Sequence, residues 1–422
     1  MKFDLSGRRS GRVQPLGHFA GALGLLVTLA QAQPSDTLTL ARAQTLLLQH
    51  PSLNAAVLEV EARKSQVAQA GMLPNPSLSI EAENFAGTGP LSGVKELETT
   101  TRLEQTVELG GKRSVRREQA RAEMRIAESE RSLREAELFV ELREVFSEAL
   151  RLQERLRILE RDTVFLGEVV EVARRRTHAG GGGIAEEGKL RLTLSQARTE
   201  AAKVRTKLEI SHQRLALLMS LPAPDFEVIQ EPNMSVIPEW DSVIAALEMH
   251  PQLTRWKSER ELRALSLRSA RAQNIPDLGV NAGVRHSNAG GGDWGIVGGV
   301  SVPLPVWNRN KGGIAGSETR IRSSEQSTEA VRRELTAEAF RLWSELRVKS
   351  QEITSLHNEL LPQAVQVRDA TRSAYSQGRI GVLELLDGHR TWLDLNEHYI
   401  AQRSEYRLDF AKLEALMSAS NP

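Results

Sequence analysis

Cysteine is absent from the 422 residues. Disulfides, thiolate metal sites, cysteine nucleophiles and a lipid-bearing N-terminal cysteine are therefore excluded. Aromatic residues are scarce, at 4%. A globular enzyme of this length fills its core with more aromatic bulk, whereas long helices with narrow apolar seams need less. Charge of one sign is not in excess: 55 Lys and Arg face 54 Asp and Glu, a net of +1. That balance offers nucleic acid no basic surface. Beyond the N-terminus no run is apolar enough for a transmembrane helix, so a membrane would be met by β-strands or peripherally.

The one sizeable apolar stretch, Leu16 to Leu29, follows Arg8, Arg9 and Arg12 and precedes Ala30-Gln31-Ala32. A basic start, a short apolar middle and small residues at the cleavage positions predict a signal peptide over residues 1–32. As a membrane anchor it falls short of the roughly 20 residues a spanning helix needs.

What is present is written twice. His50-Pro51-Ser52-Leu53 recurs as His250-Pro251-Gln252-Leu253, an offset of 200. Each copy closes an amphipathic stretch, Leu38 to Leu48 and Trp240 to Met249, and opens a charged helical run to Ala70 and Ala272. Prolines then stop both helices, in Leu73-Pro74-Asn75-Pro76-Ser77-Leu78 and Asn274-Ile275-Pro276-Asp277-Leu278. This plan predicts two structural repeats, 33–222 and 223–422.

After each proline the apolar period becomes two. Leu78, Ile80 and Ala82 alternate with Ser79, Glu81 and Glu83, and past the Gly87–Pro90 turn Leu97, Thr99, Thr101, Leu103, Val107 and Leu109 share a face. In the second half Leu278, Val280, Ala282 and Val284 do so, followed past Gly290-Gly291-Gly292 by Trp294, Ile296, Val300, Val302 and Leu304. Each half thus carries a β-hairpin whose strands, about ten residues long, match a tilted bilayer crossing. Soluble sandwiches alternate as well, but these strands are few and the flanking helices too long to cap a small sheet. An open edge is not tolerated in lipid, so the strands must close with further copies.

Behind each hairpin runs a very long helix. Lys112 to Leu166 contains no glycine or proline and reads as helical to about Thr177, on the order of 95 Å. Its counterpart runs from Ser317 to Gln377, with a kink expected at Pro362. Leu138, Leu142, Val145, Ala149, Leu152, Leu156 and Leu159 form a seam at spacings of four and three. Return helices are expected over Glu186 to Leu221 and Val382 to Met417. The expected fold is mainly α with a small β part: long antiparallel coiled-coil helices and two β-hairpins, duplicated.

Three segments carry a family resemblance over essentially the whole mature chain. They are Leu73-Pro74-Asn75-Pro76 with Glu81 and Glu83-Asn84-Phe85, the run Leu103 to Arg113, and Tyr375-Ser376-Gln377-Gly378-Arg379-Ile380-Gly381 continuing to Asp387. The sequence resembles the TolC superfamily of outer-membrane efflux proteins, in particular its CzcC-like cation-efflux branch. The resemblance implies a homotrimer with a twelve-stranded β-barrel in the outer membrane and an α-barrel crossing the periplasm. It implies two partners, a periplasmic adaptor and an inner-membrane pump of the RND type. The function implied is passive export of heavy-metal cations of the cobalt, zinc and cadmium class. A general duct for drugs is the alternative, and a periplasmic scaffold or adaptor is a third reading.

The resemblance also marks residues. Glu384 and Asp387, at i and i+3 on one helix face, match the acidic residues that line the closed periplasmic end of such channels, where carboxylates attract cations. Gly180, Ile184, Glu186 and Glu187 at the first tip, with Tyr375, Gly378 and Arg379 at the second, match the adaptor-docking tips. Glycines 181–183 depart from the family pattern and predict a looser first tip.

Other motifs are weaker. Gly183 to Lys189 reads as most of a phosphate-binding loop, but Leu190 stands where Ser or Thr should hold magnesium, and a helix precedes it. His389 and His398 lie about two and a half turns apart, too far to share a metal without other ligands. His50 and His250, beside their prolines, read as caps or packing residues. No nucleophile–base–acid set is visible, so no enzyme activity, cofactor or metal site is expected.

Overall fold

The computed structural model describes residues 37–181, 183–230 and 236–418. The expected signal peptide lies outside them. The chain opens with β1 (Thr37–Leu38), α1 (Leu40–Leu47) and α2 (Pro51–Ala70). The first hairpin follows, β2 (Ser77–Glu83) and β3 (Glu98–Val107), then α3 (Lys112–His178) and α4 (Ile184–Leu218). After β4 (Val228–Ile229) the order resumes with α5 (Trp240–Leu247), α6 (Pro251–Ala272), β5 (Leu278–Ser287) and β6 (Asp293–Ser301). It ends with α7 (Lys311–Ser355), α8 (Leu361–Ser376) and α9 (Val382–Met417).

His50 and His250 are N-caps. Each ring Nδ1 accepts from the backbone N–H two residues on, Ser52 at 3.3 Å and Gln252 at 3.2 Å, and proline takes the first helical position. A missing N–H costs nothing there, since that donor has no partner within the helix. α3 is 67 residues long, or about 100 Å. Its seam is buried as the spacing requires: Leu138, Leu142, Val145, Ala149, Leu152 and Leu159 all lie below 5% exposure. Leu138, Leu142, Val145 and Ala149 join Ala43, Leu47 and Leu215 from α1 and α4 in the first core, while Leu152 and Leu159 pack with Ala201 and Val204 of α4. A matching core holds Val243, Leu247, Ala339, Leu342, Leu346 and Tyr406.

Pro362 does not break its helix. A π-helical turn at Leu356–Leu360 precedes it and carries α7 into α8. Proline lacks the N–H and collides with the carbonyl four residues back. A wider turn relieves that crowding, and the Leu361 N–H bonds to the Leu356 carbonyl. The parallel pairing of β1 with β4 is a feature that the sequence pattern did not signal.

The four longer strands form one antiparallel sheet in the order β2-β3-β5-β6. The two hairpins meet at β3 and β5, with Thr101 opposite Val284 and Leu103 opposite Ala282. β2 and β6 are open edges of this sheet.

Candidate functional site

Register places the apolar residues of all four strands, Val297 excepted, on one face. Leu78 pairs with Leu103, Leu103 with Ala282, Val284 with Ile296 and Val280 with Val300. This face stays bare in the protomer: Leu78, Ile80, Trp294 and Val300 are 67–72% exposed and Ile296 is 93% exposed. The opposite face is polar. There Arg102 pairs with Glu81 at 3.0 Å, and Arg285 reaches Glu98 at 3.2 Å and Thr100 at 3.1 Å. No described helix is long and apolar enough to cross a membrane. A sheet with one apolar and one polar face has the chemistry of strands that meet lipid on one side.

At the foot of the sheet the Leu103–Arg113 run turns into α3. Arg116 grips Glu108 through two bonds, at 2.6 and 3.0 Å, and donates to the backbone carbonyls of Ala70 and Met72. That double hydrogen bond holds the Glu108 carboxyl below its ordinary range. Lys112 pairs with Asp277 at 2.8 Å, and the same carboxylate oxygen accepts from the Leu109 N–H at 3.0 Å. Burial raises the Asp277 pKa, but Lys112 and the N–H together outweigh it and leave the carboxyl lowered. Asp277 therefore ties the start of β5 to the start of α3.

The helices reverse at two tips. Gly180 and Gly378 have φ of +79° and +74°, where a side chain is strained. Past each glycine the next N–H bonds back five residues, Gly181 to Arg176 and Arg379 to Ala374, both at 2.9 Å, which completes a Schellman cap. Gly180, Gly378 and Arg379 are exposed, and Ile184 is 84% exposed. Glu187 is half-buried and pairs with Arg191 at 2.6 Å.

Tyr375 and Glu186 are placed differently from a contact surface. Tyr375 is 1% exposed, and the Arg176 guanidinium lies 4.8 Å from its ring and donates to its carbonyl at 3.1 Å. Glu186 reaches Arg176 at 3.7 Å. Burial, with Glu186 beside the hydroxyl, pushes the Tyr375 phenol up. Both residues brace the tips from inside, and Arg176 is the link between them.

Glu384 and Asp387 lie in the first turns of α9, both exposed, while Leu385, Gly388 and His389 between and beyond them are buried. Glu384 also sits favourably at the positive end of the helix. His389 and His398 do not converge. His389 meets Asp162 on α3, whereas His398 meets Glu352 on α7 at 2.7 Å. His178 is exposed at the tip. Gly183 to Lys189 runs directly into α4, with Gly183 as its N-cap, and forms no phosphate cradle. Among the described residues no group of three or more His, Asp or Glu is placed to hold a metal ion.

The known proteins that this chain is similar to agree with this geometry. The outer membrane efflux protein family matches residues 43–220 and 243–419. The cobalt-zinc-cadmium resistance protein CzcC of Cupriavidus metallidurans is 25% identical over 83% of this chain and 82% of its own length. The nickel-cobalt-cadmium resistance protein NccC of Alcaligenes xylosoxydans xylosoxydans is 26% identical over 74% and 70%. Among solved structures, the outer membrane protein VceC of Vibrio cholerae superposes with a TM-score of 0.74 at 19% identity, covering 90% of this chain and 97% of that one. CusC gives a TM-score of 0.74 at 15% identity, over 90% and 92%. Matched over both of these stretches, the chain belongs to the outer membrane efflux protein family, whose members are transport proteins of the outer membrane.

Proposed function

We propose that this protein is the exit duct of a tripartite efflux system and passes heavy-metal cations, of the cobalt, zinc and cadmium class, out of the periplasm. The observation that carries the cargo is the likeness, over most of the chain, to the resistance proteins CzcC and NccC. The chain would be exported by residues 1–32 and would fold as repeats 33–222 and 223–422. Three copies would then close the open edges of the four-stranded sheet into one barrel, with the bare apolar face toward lipid. The long helices would continue the duct through the periplasm. A periplasmic adaptor bound to an inner-membrane pump would dock on the exposed parts of the tips, Gly180, Ile184, Gly378 and Arg379.

A duct needs polar walls and a selective constriction, because tight ligands would trap its cargo. Glu384 and Asp387 suit that constriction, being exposed, acidic and close to the second tip. Deletion of the gene tests the cargo. Loss of cobalt, zinc or cadmium tolerance, restored by the intact gene, is expected. Sensitivity to dyes and antibiotics without metal sensitivity would assign a general duct instead. For the constriction, Glu384→Ala with Asp387→Ala should raise single-channel conductance in planar bilayers and weaken cation preference. Unchanged values would remove both residues from that role.

A further inference from the structure

We propose that Asp162 and His389 are positioning residues of the channel: their hydrogen bond sets the rotation of α9 about its axis and so aims Glu384 and Asp387. The proposal rests on the reading of those carboxylates as the constriction.

Both residues occupy seam positions where an aliphatic side chain would be expected. On α3 the buried stripe runs Leu159, Asp162, Leu166, Val169, Ala173, and on α9 it runs Leu385, His389, Trp392. Asp162 is 3% exposed and His389 5%. His389 donates from Nε2 to Asp162 Oδ1 at 2.5 Å, across 227 residues of sequence and between the two repeats. A carboxylate and an imidazole withdrawn from water destabilise the fold unless they meet. They meet in only one rotational and axial setting of the two helices. Aliphatic seams tolerate several such settings, whereas one buried polar pair selects among them. Among the described residues the His389 Nδ1 has no partner, so this polar tie is a single bond.

The pair is clamped by a stack that reaches a third helix. The imidazole lies 4.2 Å from the Phe165 ring at 13°, and Trp392 lies 5.7 Å away at 24°. Arg372 covers Phe165 and Arg368 covers Trp392, at 5.6 and 4.6 Å. Arg372 also pairs with Glu168 on α3 at 2.5 Å. The ring of His389 is thus stacked with Phe165 of α3 and Trp392 of its own helix, and α8 covers both of those rings.

Helix geometry converts this hold into an aim. Successive residues turn about 100°, so Asp387 lies about 200° around the axis from His389, and Glu384 about 140°. While His389 points at α3, both acids are turned away from it. A rotation that released His389 would swing them toward the neighbouring helices.

The test uses the assembled full chain in planar bilayers with Asp162→Leu/His389→Leu. This apolar pair keeps the seam filled and removes the selective contact, so thermal stability of the assembly should hold or rise. Conductance should nevertheless rise several-fold and cation preference should fall, a divergence that a merely structural role would not produce. In a Glu384→Ala/Asp387→Ala background the Leu pair should add no further change in selectivity. A stable Leu-pair assembly with wild-type conductance and selectivity would overturn the proposal. If the Leu pair opens the channel while the alanine pair leaves conductance and selectivity unchanged, the aim assigned to Asp162 and His389 falls together with the constriction reading. Should the Leu pair fail to assemble, Asp162→Asn, which keeps an acceptor oxygen, is compared with Asp162→Val, which does not. Wild-type conductance in the first and a rise in the second supports the proposal, and equal conductance in both overturns it.

Discussion

Removing the Arg116 guanidinium tests whether the strand-to-helix junction is held by the contacts seen there. In Arg116→Ala the Glu108 carboxylate loses both of its bonds, and the carbonyls of Ala70 and Met72 lose their donor. The Arg116 side chain is 42% exposed and that of Glu108 12%. Solvent screening therefore limits the ion pair itself to about 1 kcal/mol. The two carbonyl bonds add roughly 0.5–1.5 kcal/mol each. The sum is about 2–4 kcal/mol, most of it from groups left unpaired at the junction. With about 2.1 cal/mol/K of unfolding entropy per residue over roughly 380 residues, melting should fall by about 3–5 °C. Calorimetry of the detergent-solubilised assembly measures this, with Arg113→Ala as the control. Arg113 is exposed, and its loss should change stability by less than about 0.5 kcal/mol. Equal melting of the two variants would refute the account.

Two further outcomes follow from the same geometry. The folded Glu108 carboxyl is lowered, so its stabilisation is complete above the ordinary value of 4.5 and is lost as pH falls through the lower folded value. Glu108→Gln should thus melt below wild type at neutral pH, and the gap should close in acid; a gap that widens in acid would contradict the assigned sign. Ile296→Arg puts a charge on the bare apolar face and should destabilise folding into lipid vesicles by about 2–4 kcal/mol, whereas Asn281→Arg on the polar face should be far milder. Urea titration in vesicles compares them, and equal losses would mean that the two faces are misassigned.

Periodicity carried most of the fold. The period-two stripes gave both hairpins because strand register aligns every second residue, so Leu78, Leu103, Ala282 and Ile296 come onto one face. The four-and-three seam gave α3 because the same residues are the ones α4 and α1 cover. Contacts between residues far apart in the chain were not legible. Asp277 lies 165 residues from Lys112, and nothing local to either predicts their pairing. Tyr375 carried a tip motif, but only the placement of Arg176 shows that its ring turns inward. One long-range contact does leave a local signal: Asp162 interrupts an apolar seam at a seam position, and His389 does the same on α9. A polar residue on such a stripe implies a partner on the facing stripe.

The bare edges of β2 and β6 have a genetic consequence. An open sheet has no stable resting place in lipid; where three copies close the barrel as proposed, each completes its neighbours, and a copy damaged at one edge spoils sound ones. In a trimer built from equal amounts of intact and edge-damaged chains, only roughly one assembly in eight would lack a damaged member. Such an allele would be dominant, silencing most of the product of a functional gene beside it, whereas an allele that merely prevents synthesis would be recessive.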